Sequence, residues 1–344
     1  MNPKPRLFLL AFCVFLPLQA QQSAPIKAQA AATIALDVVV APKSGGPAMN
    51  GLQQQEFTVL DDKVPAPINS FKAVDGRQAR TNFILVIDAV NTSYQQIGYE
   101  RTEIDKFLHS DGGNLAHPVR LAVITDTGSR FLGGFSTDGN AIATALDHDE
   151  IGLRDINRSA GFYGATDRLG ISIRAIGAVI ASAAPASGRT MIVWMSPGWP
   201  ILSGPNVTLD NKQQDMIFSS AVGLSTQMRE SRVTLYSLNP LGVNEGLGRA
   251  SYYEEFVKGI SKPSQAQLGD LSVQALAEQS GGLVLNSTGV AEMLQSVTKD
   301  ADSFYELTFN ARPAEKPNEY HPIEVKVASP GLVARTRRGY YAQP

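Results

Sequence analysis

The chain has 344 residues, 30 basic and 32 acidic, for a net charge of -2. Hydrophobic residues at 43% and charged residues at 18% exclude a disordered or collagen-like chain, and the near-neutral balance without a basic cluster excludes nucleic acid as the main partner. One cysteine rules out a disulfide framework and a multi-cysteine metal site, and four histidines, at 109, 117, 148 and 321, leave little for histidine chemistry.

Residues 1–20 read as an export signal. Lys4 and Arg6 precede an apolar run from Leu7 to Leu16, and Ala20 offers a small residue for cleavage. The run is too short to span a bilayer. The remaining chain carries 28 basic and 32 acidic residues and no cysteine, which suits a periplasmic or extracellular protein stabilised by its core.

From residue 33 to 75 the pattern is that of strands. Thr33 to Val40 and Glu56 to Leu60 alternate, Asp61-Asp62 signals a turn, and Pro65 and Pro67 interrupt before Ile68 to Val74. This segment is too short to hold a core alone. From residue 81 to 303 five apolar runs follow: Phe83 to Ile87, Leu121 to Ile124, Met191 to Met195, Val233 to Tyr236 and Leu283 to Leu285. Unbroken apolarity is what strands covered on both faces require. Between the runs lie helical spacings: Ile97, Ile104 and Leu108; Leu169, Ile173, Ile176 and Ile180; Ile217, Ala221, Leu224 and Met228; Val290, Met293, Leu294 and Val297. Alternating strands and helices predict a doubly wound, mostly parallel α/β sheet. Phe131 to Phe135 follows its predecessor too closely for a helix, so an antiparallel edge strand is expected. Residues 304–342 return to strands: Tyr305 to Phe309, Ile323 to Val327, and a basic one from Leu332 to Tyr341. The two flanking β segments are expected to pair into one small β-sandwich that carries the α/β domain as an insertion. Arg335, Arg337 and Arg338 read as a solvated edge.

Ligands of such a sheet bind beyond the carboxyl ends of the strands, where strand order reverses. Here those ends are Asp88 to Thr92, Thr125-Asp126, Ser196 to Trp199 and Ser237 to Asn239. No phosphate-binding loop, His-Glu-x-x-His or Gly-x-Ser-x-Gly motif is present. Gly246 to Ser251 lacks the third glycine of a dinucleotide loop and reads as an ordinary loop. Asp147-His148-Asp149-Glu150 reads as a polar helix end rather than a metal cluster.

Asp88 at the end of the first apolar strand, followed by amide and hydroxyl residues, resembles the start of a von Willebrand factor type A domain. Gly51-Leu52 with Glu56 to Asp62, Ala277 to Gly282, Tyr320 to Val327 and Arg338 to Tyr341 are similar more narrowly to the acidobacterial von Willebrand factor A-related proteins. That resemblance spans nearly all of residues 33–342. It implies a site for a divalent ion such as Mg²⁺, held by an Asp-x-Ser-x-Ser loop, a distant Thr and an Asp after the fourth strand. Asp88 matches the first ligand, Thr92 the second hydroxyl, and Thr166, ahead of a predicted helix, the distant Thr. Val90 stands where a Ser is expected and Ser196-Pro197-Gly198 where the last Asp is expected. With those oxygens gone, Mg²⁺ binding is expected to be weak or absent, although Asn91 could supply an oxygen. Without an ion, Asp88 would cap a turn and Thr166 a helix.

The reading is therefore an exported, non-enzymatic binding, adhesion or scaffold protein, whose partner is another protein or a cell-envelope macromolecule. The alternative is a metal-assisted hydrolase using the strand-end cleft. Asn91, Trp199 and Ile201 are the partner-contact candidates. For Trp199, set among Ser196-Pro-Gly-Trp-Pro-Ile201, the sequence leaves two readings open, surface contact or core.

Overall fold

A computed structural model describes residues 32–75, 81–149, 161–183, 188–201, 208–242 and 252–344. Residues 1–20 and 246–251 lie outside the described residues, as does the loop from 202 to 207. Residues 31–344 make one compact unit. Among the described residues, no helix is long and apolar enough to cross a membrane.

The strands are β1 (Thr33–Pro42), β2 (Phe57–Asp61), β3 (Val64–Ala66), β4 (Ser70–Asp75), β5 (Thr81–Asp88), β6 (Asn114–Thr125), β7 (Gly128–Asp138), β8 (Arg189–Met195), β9 (Val233–Asn239), β10 (Val284–Asn286), β11 (Ser303–Asn310), β12 (Glu319–Val327), β13 (Leu332–Arg335) and β14 (Gly339–Ala342). The helices are α1 (Tyr94–Leu108), α2 (Gly139–Asp147), α3 (Gly161–Ser182), α4 (Asn211–Glu230), α5 (Val273–Gln279) and α6 (Val290–Asp302).

The central sheet runs β10-β9-β8-β5-β6-β7. Every neighbouring pair is parallel except β6 with β7, where the expected antiparallel edge strand lies. β8 is buried along its whole length and β5 at all but one position, as their unbroken apolarity requires. One apolar layer joins α3, α4 and α5 to one face, and a second joins α1, α2 and α6 to the other. The fold is a doubly wound α/β sheet.

The flanking segments interleave. β1 pairs with β11 and β13, and β11 with β4, in one antiparallel sheet ordered β13-β1-β11-β4. The other sheet is β14-β12-β2-β3. Ile34, Leu36 and Val38 of β1, Phe57 and Val59 of β2, Leu307 and Phe309 of β11 and Val325 of β12 fill one core between them. Both sheets thus mix strands from either end of the chain, which makes one sandwich. Asp62 and Lys63, at φ 49° and 65°, form the two-residue turn between β2 and β3, with the left-handed backbone such hairpins need. Pro65 lies in the edge strand β3, where a missing N–H costs no ladder bond.

Two expectations change here. The predicted strand from Leu332 to Tyr341 is two strands in different sheets, β13 on β1 and β14 on β12. The crossing residues are held by the α/β layer: Arg338 N–H donates to Gln279 O at 3.0 Å. Of the three arginines only Arg338 is exposed, so the solvated-edge reading fails for Arg335 and Arg337. Arg335 pairs with Asp300 and donates to Gly281 O, Arg338 pairs with Glu278, and Arg337 is only 8% exposed.

The sandwich meets the α/β layer at the amino ends of its strands and along α4. Arg232, just before β9, donates to Asp37 at 2.5 Å and Glu306 at 2.6 Å. Arg189 opens β8 and lies over Phe304 of β11 at 5.0 Å. On β14, Tyr340 faces the sandwich core while Tyr341 packs on Phe218 of α4, with ring centres 6.1 Å apart, the alternation a strand imposes. The carboxyl ends of the parallel strands point the other way.

Candidate binding face at the strand carboxyl ends

Strand order reverses between β5 and β8, whose flanking strands were reached by crossovers on opposite sides, and this is where open α/β sheets bind ligands. Asp88 ends β5 there. The register pairs Ile87 with Met195, so Ser196 follows β8 beside Asp88.

Asp88 is fully buried. Its Oδ1 accepts the backbone N–H groups of Val90 and Asn91, both at 3.1 Å. Its Oδ2 accepts the Asn91 side-chain amide at 2.8 Å and the indole N–H of Trp194 at 2.9 Å. Burial pushes the carboxyl up from its ordinary range, and the bonds from Asn91, Trp194 and Val90 pull it back. Thr92 N–H closes the turn on Asp88 O at 3.1 Å. Ser93 then caps α1 in a reciprocal capping box: it accepts from Gln96 N–H, and the Gln96 side chain accepts from Ser93 N–H at 3.1 Å.

Asn91 also donates to Ser172 Oγ of α3 at 2.8 Å, and Ser172 donates to Arg168 O at 2.9 Å. A chain of bonds therefore runs from β5 through Asn91 into α3. Asn91 is half-buried and spends its amide nitrogen internally, while its Oδ1 is buried and accepts no hydrogen bond, which removes it from the contact candidates.

The donor set does not fit the divalent ion that the resemblance implies. The carboxylate that should anchor the ion already accepts four donors. Val90 has no ligating atom, and its side chain is buried in the layer beneath α3. Ser196 Oγ accepts the Gly198 N–H at 3.1 Å, a local turn rather than an open ligand. Thr92 is buried beside Asp88. Thr166 is not ahead of a helix: α3 begins at Gly161, so Thr166 lies inside it and is exposed. Mg²⁺ requires near-octahedral oxygen ligation, and this arrangement offers no such set.

Trp199 is 4% exposed and meets Trp194 edge-to-face, centroids 5.3 Å apart. The core reading holds, so Trp199 leaves the partner-contact candidates. Gly198 at φ 113° turns the chain down, and any side chain there would strike Gln274. Ile201 is half-buried. What the face does expose is Tyr94, the first residue of α1, at 72%.

Three residues were missed. Trp194 and Ser172 carry no motif. Glu100, by contrast, falls between Ile97 and Ile104 at helical spacing, and the helix arithmetic already put it on the buried face. It is 0% exposed, and neither carboxyl oxygen has a hydrogen-bond donor. Burial, with the Asp88 charge adding to it, raises its pKa well above the ordinary carboxylate range.

No protein-family model matches the chain, and no curated protein matches it in sequence. Solved structures do resemble it. The human COPII-coat protein Sec24c matches 77% of this chain at 10% identity and a TM-score of 0.34, over only 44% of its own length. The SpRpn10 VWA domain matches 64% at 13% identity and a TM-score of 0.29, over 96% of its own length. The manganese-loaded Plasmodium vivax TRAP protein matches 78% at 9% identity and a TM-score of 0.34, likewise over 96%. These likenesses are loose, and the doubly wound fold stands on the strand order itself.

Proposed function

We propose that this chain is an exported, non-enzymatic binding protein that engages another protein or a cell-envelope macromolecule through the carboxyl-end face of its α/β sheet. One observation carries the reading: the switch-point face is turned away from the sandwich, while its central acid is buried and spends its acceptors on the fold. A face built this way presents loops and the exposed Tyr94 rather than a reactive group. The pattern of residues 1–20 supports export.

The hydrolase reading has one feature in its favour, two carboxyls of raised pKa side by side, Asp88 and Glu100. Both are 0% exposed, which supports the binding reading over the hydrolase reading. A groove of about 450 Å³, lined by residues including Phe57, Pro65 and Ile68, lies on the sandwich instead.

The test is capture from the exported fraction with the purified protein. Tyr94→Glu and Ile201→Glu should abolish capture of a partner that wild type retains, whereas Lys72→Glu on the sandwich should not. Capture indifferent to both face variants would overturn the reading.

A further inference from the structure

Asp88 is held by donors that leave a cation nothing to bind. We propose that the indole N–H of Trp194 and the amide of Asn91 have taken the place of a divalent ion, so that the strand-end loop keeps one conformation without metal and recognition at this face is independent of divalent cations. The last clause rests on the binding reading above; the rest does not.

A carboxylate offers about four lone-pair positions. Val90 N–H, Asn91 N–H, Asn91 Nδ2 and Trp194 Nε1 account for them, at 2.8 to 3.1 Å. An incoming ion would have to displace the buried indole N–H or the Asn91 amide, and a buried donor left unmade is costly. Displacing the amide would also break its bond to Ser172 and free the loop from α3. The edge-to-face stack on Trp199 fixes the Trp194 ring, so its N–H is pre-aimed at Asp88. The same positions that an ion-dependent domain fills with oxygen ligands are here occupied by a core valine and by hydrogen-bonded turns.

The chain has two tryptophans, which makes a direct test simple. In ¹⁵N-labelled wild-type protein, with the two indole signals assigned by Trp199→Phe, the Trp194 indole proton should be protected from solvent exchange. It should not move on titration with millimolar Mg²⁺, nor broaden with Mn²⁺, and EDTA should leave the thermal midpoint unchanged. Asp88→Asn should weaken the protection, because a neutral amide oxygen accepts less strongly than a carboxylate. Should that variant fail to fold, the wild-type titration still decides. A saturable shift or broadening of the Trp194 signal, or rapid exchange of its indole proton, overturns the inference. Such a result would leave the strand-end face standing as the partner surface, whereas failure of the capture variants would strike that reading and, of this inference, only the clause on recognition.

Discussion

Trp199 and Glu100 show what burial does to single residues at the edge of a face. Trp199 sits in the layer with Trp194, Val90 and Leu169. Trp199→Ala should therefore cost about 3–5 kcal/mol, the range for truncating a core aromatic, measured by urea unfolding. A loss within surface-substitution scatter would return it to the surface. Glu100 makes a prediction in pH. Its folded pKa is raised above the unfolded value, so the stability it contributes is complete below the ordinary glutamate value of 4.5 and is lost as pH rises from there. Glu100→Gln keeps the shape and removes the titration. Its stability should fall less between mildly acidic and neutral pH than that of wild type. Parallel pH profiles for the two proteins would show that Glu100 is charged in the fold.

β1 depends at the scale of elements on strands more than 260 residues away. Residues Thr33 to Val38 pair with β11, and Val39 to Pro42 with β13. Both partners lie beyond Asp302, so removing residues 304–344 strips β1 of each neighbour and β2 of β12. Limited proteolysis of that truncation should cleave within residues 33–75 at conditions where the full chain resists. Undiminished protection would mean that the N-terminal strands find their core elsewhere. The turn from β5 into α1 is the opposite case. Asp88, Ser93 and Gln96 bond to backbone within three residues of themselves, so its shape is set locally.

Ion pairs join the sandwich to the α/β layer across the whole molecule. Asp300 of α6 accepts from Arg335, from Tyr236 OH at 2.9 Å, and through its carbonyl from Arg189 at 3.1 Å. Burial and the Asp300 charge raise the Tyr236 hydroxyl to about 12. Arg335→Met would leave Asp300 a mostly buried charge without its cation, a change that costs about 3–5 kcal/mol when a buried pair is broken. Denaturant unfolding followed by tryptophan fluorescence and by far-ultraviolet dichroism should show this loss. If the variant matches wild type within about 0.5 kcal/mol, as surface substitutions do, the contact is not holding the two parts together.

Periodicity alone determined the doubly wound sheet, its antiparallel edge strand, the helix faces and the need for the terminal segments to pair. These follow from spacing because a strand covered on both faces must be apolar throughout, and a helix on a sheet must be apolar every third or fourth position. The resemblance located Asp88, and Val90 and Pro197 where oxygen ligands should stand already led the sequence reading to expect a poor ion site. Only tertiary structure decided what Asp88 does instead. Its partner Trp194 lies 106 residues along the chain, and Ser172, which ties Asn91 to α3, lies 81 residues beyond Asn91; neither belongs to a local pattern. It also decided the split of the last basic strand between two sheets. Strand alternation cannot register which neighbour a strand finds, because the pairing is a contact between distant segments and leaves no period in either one.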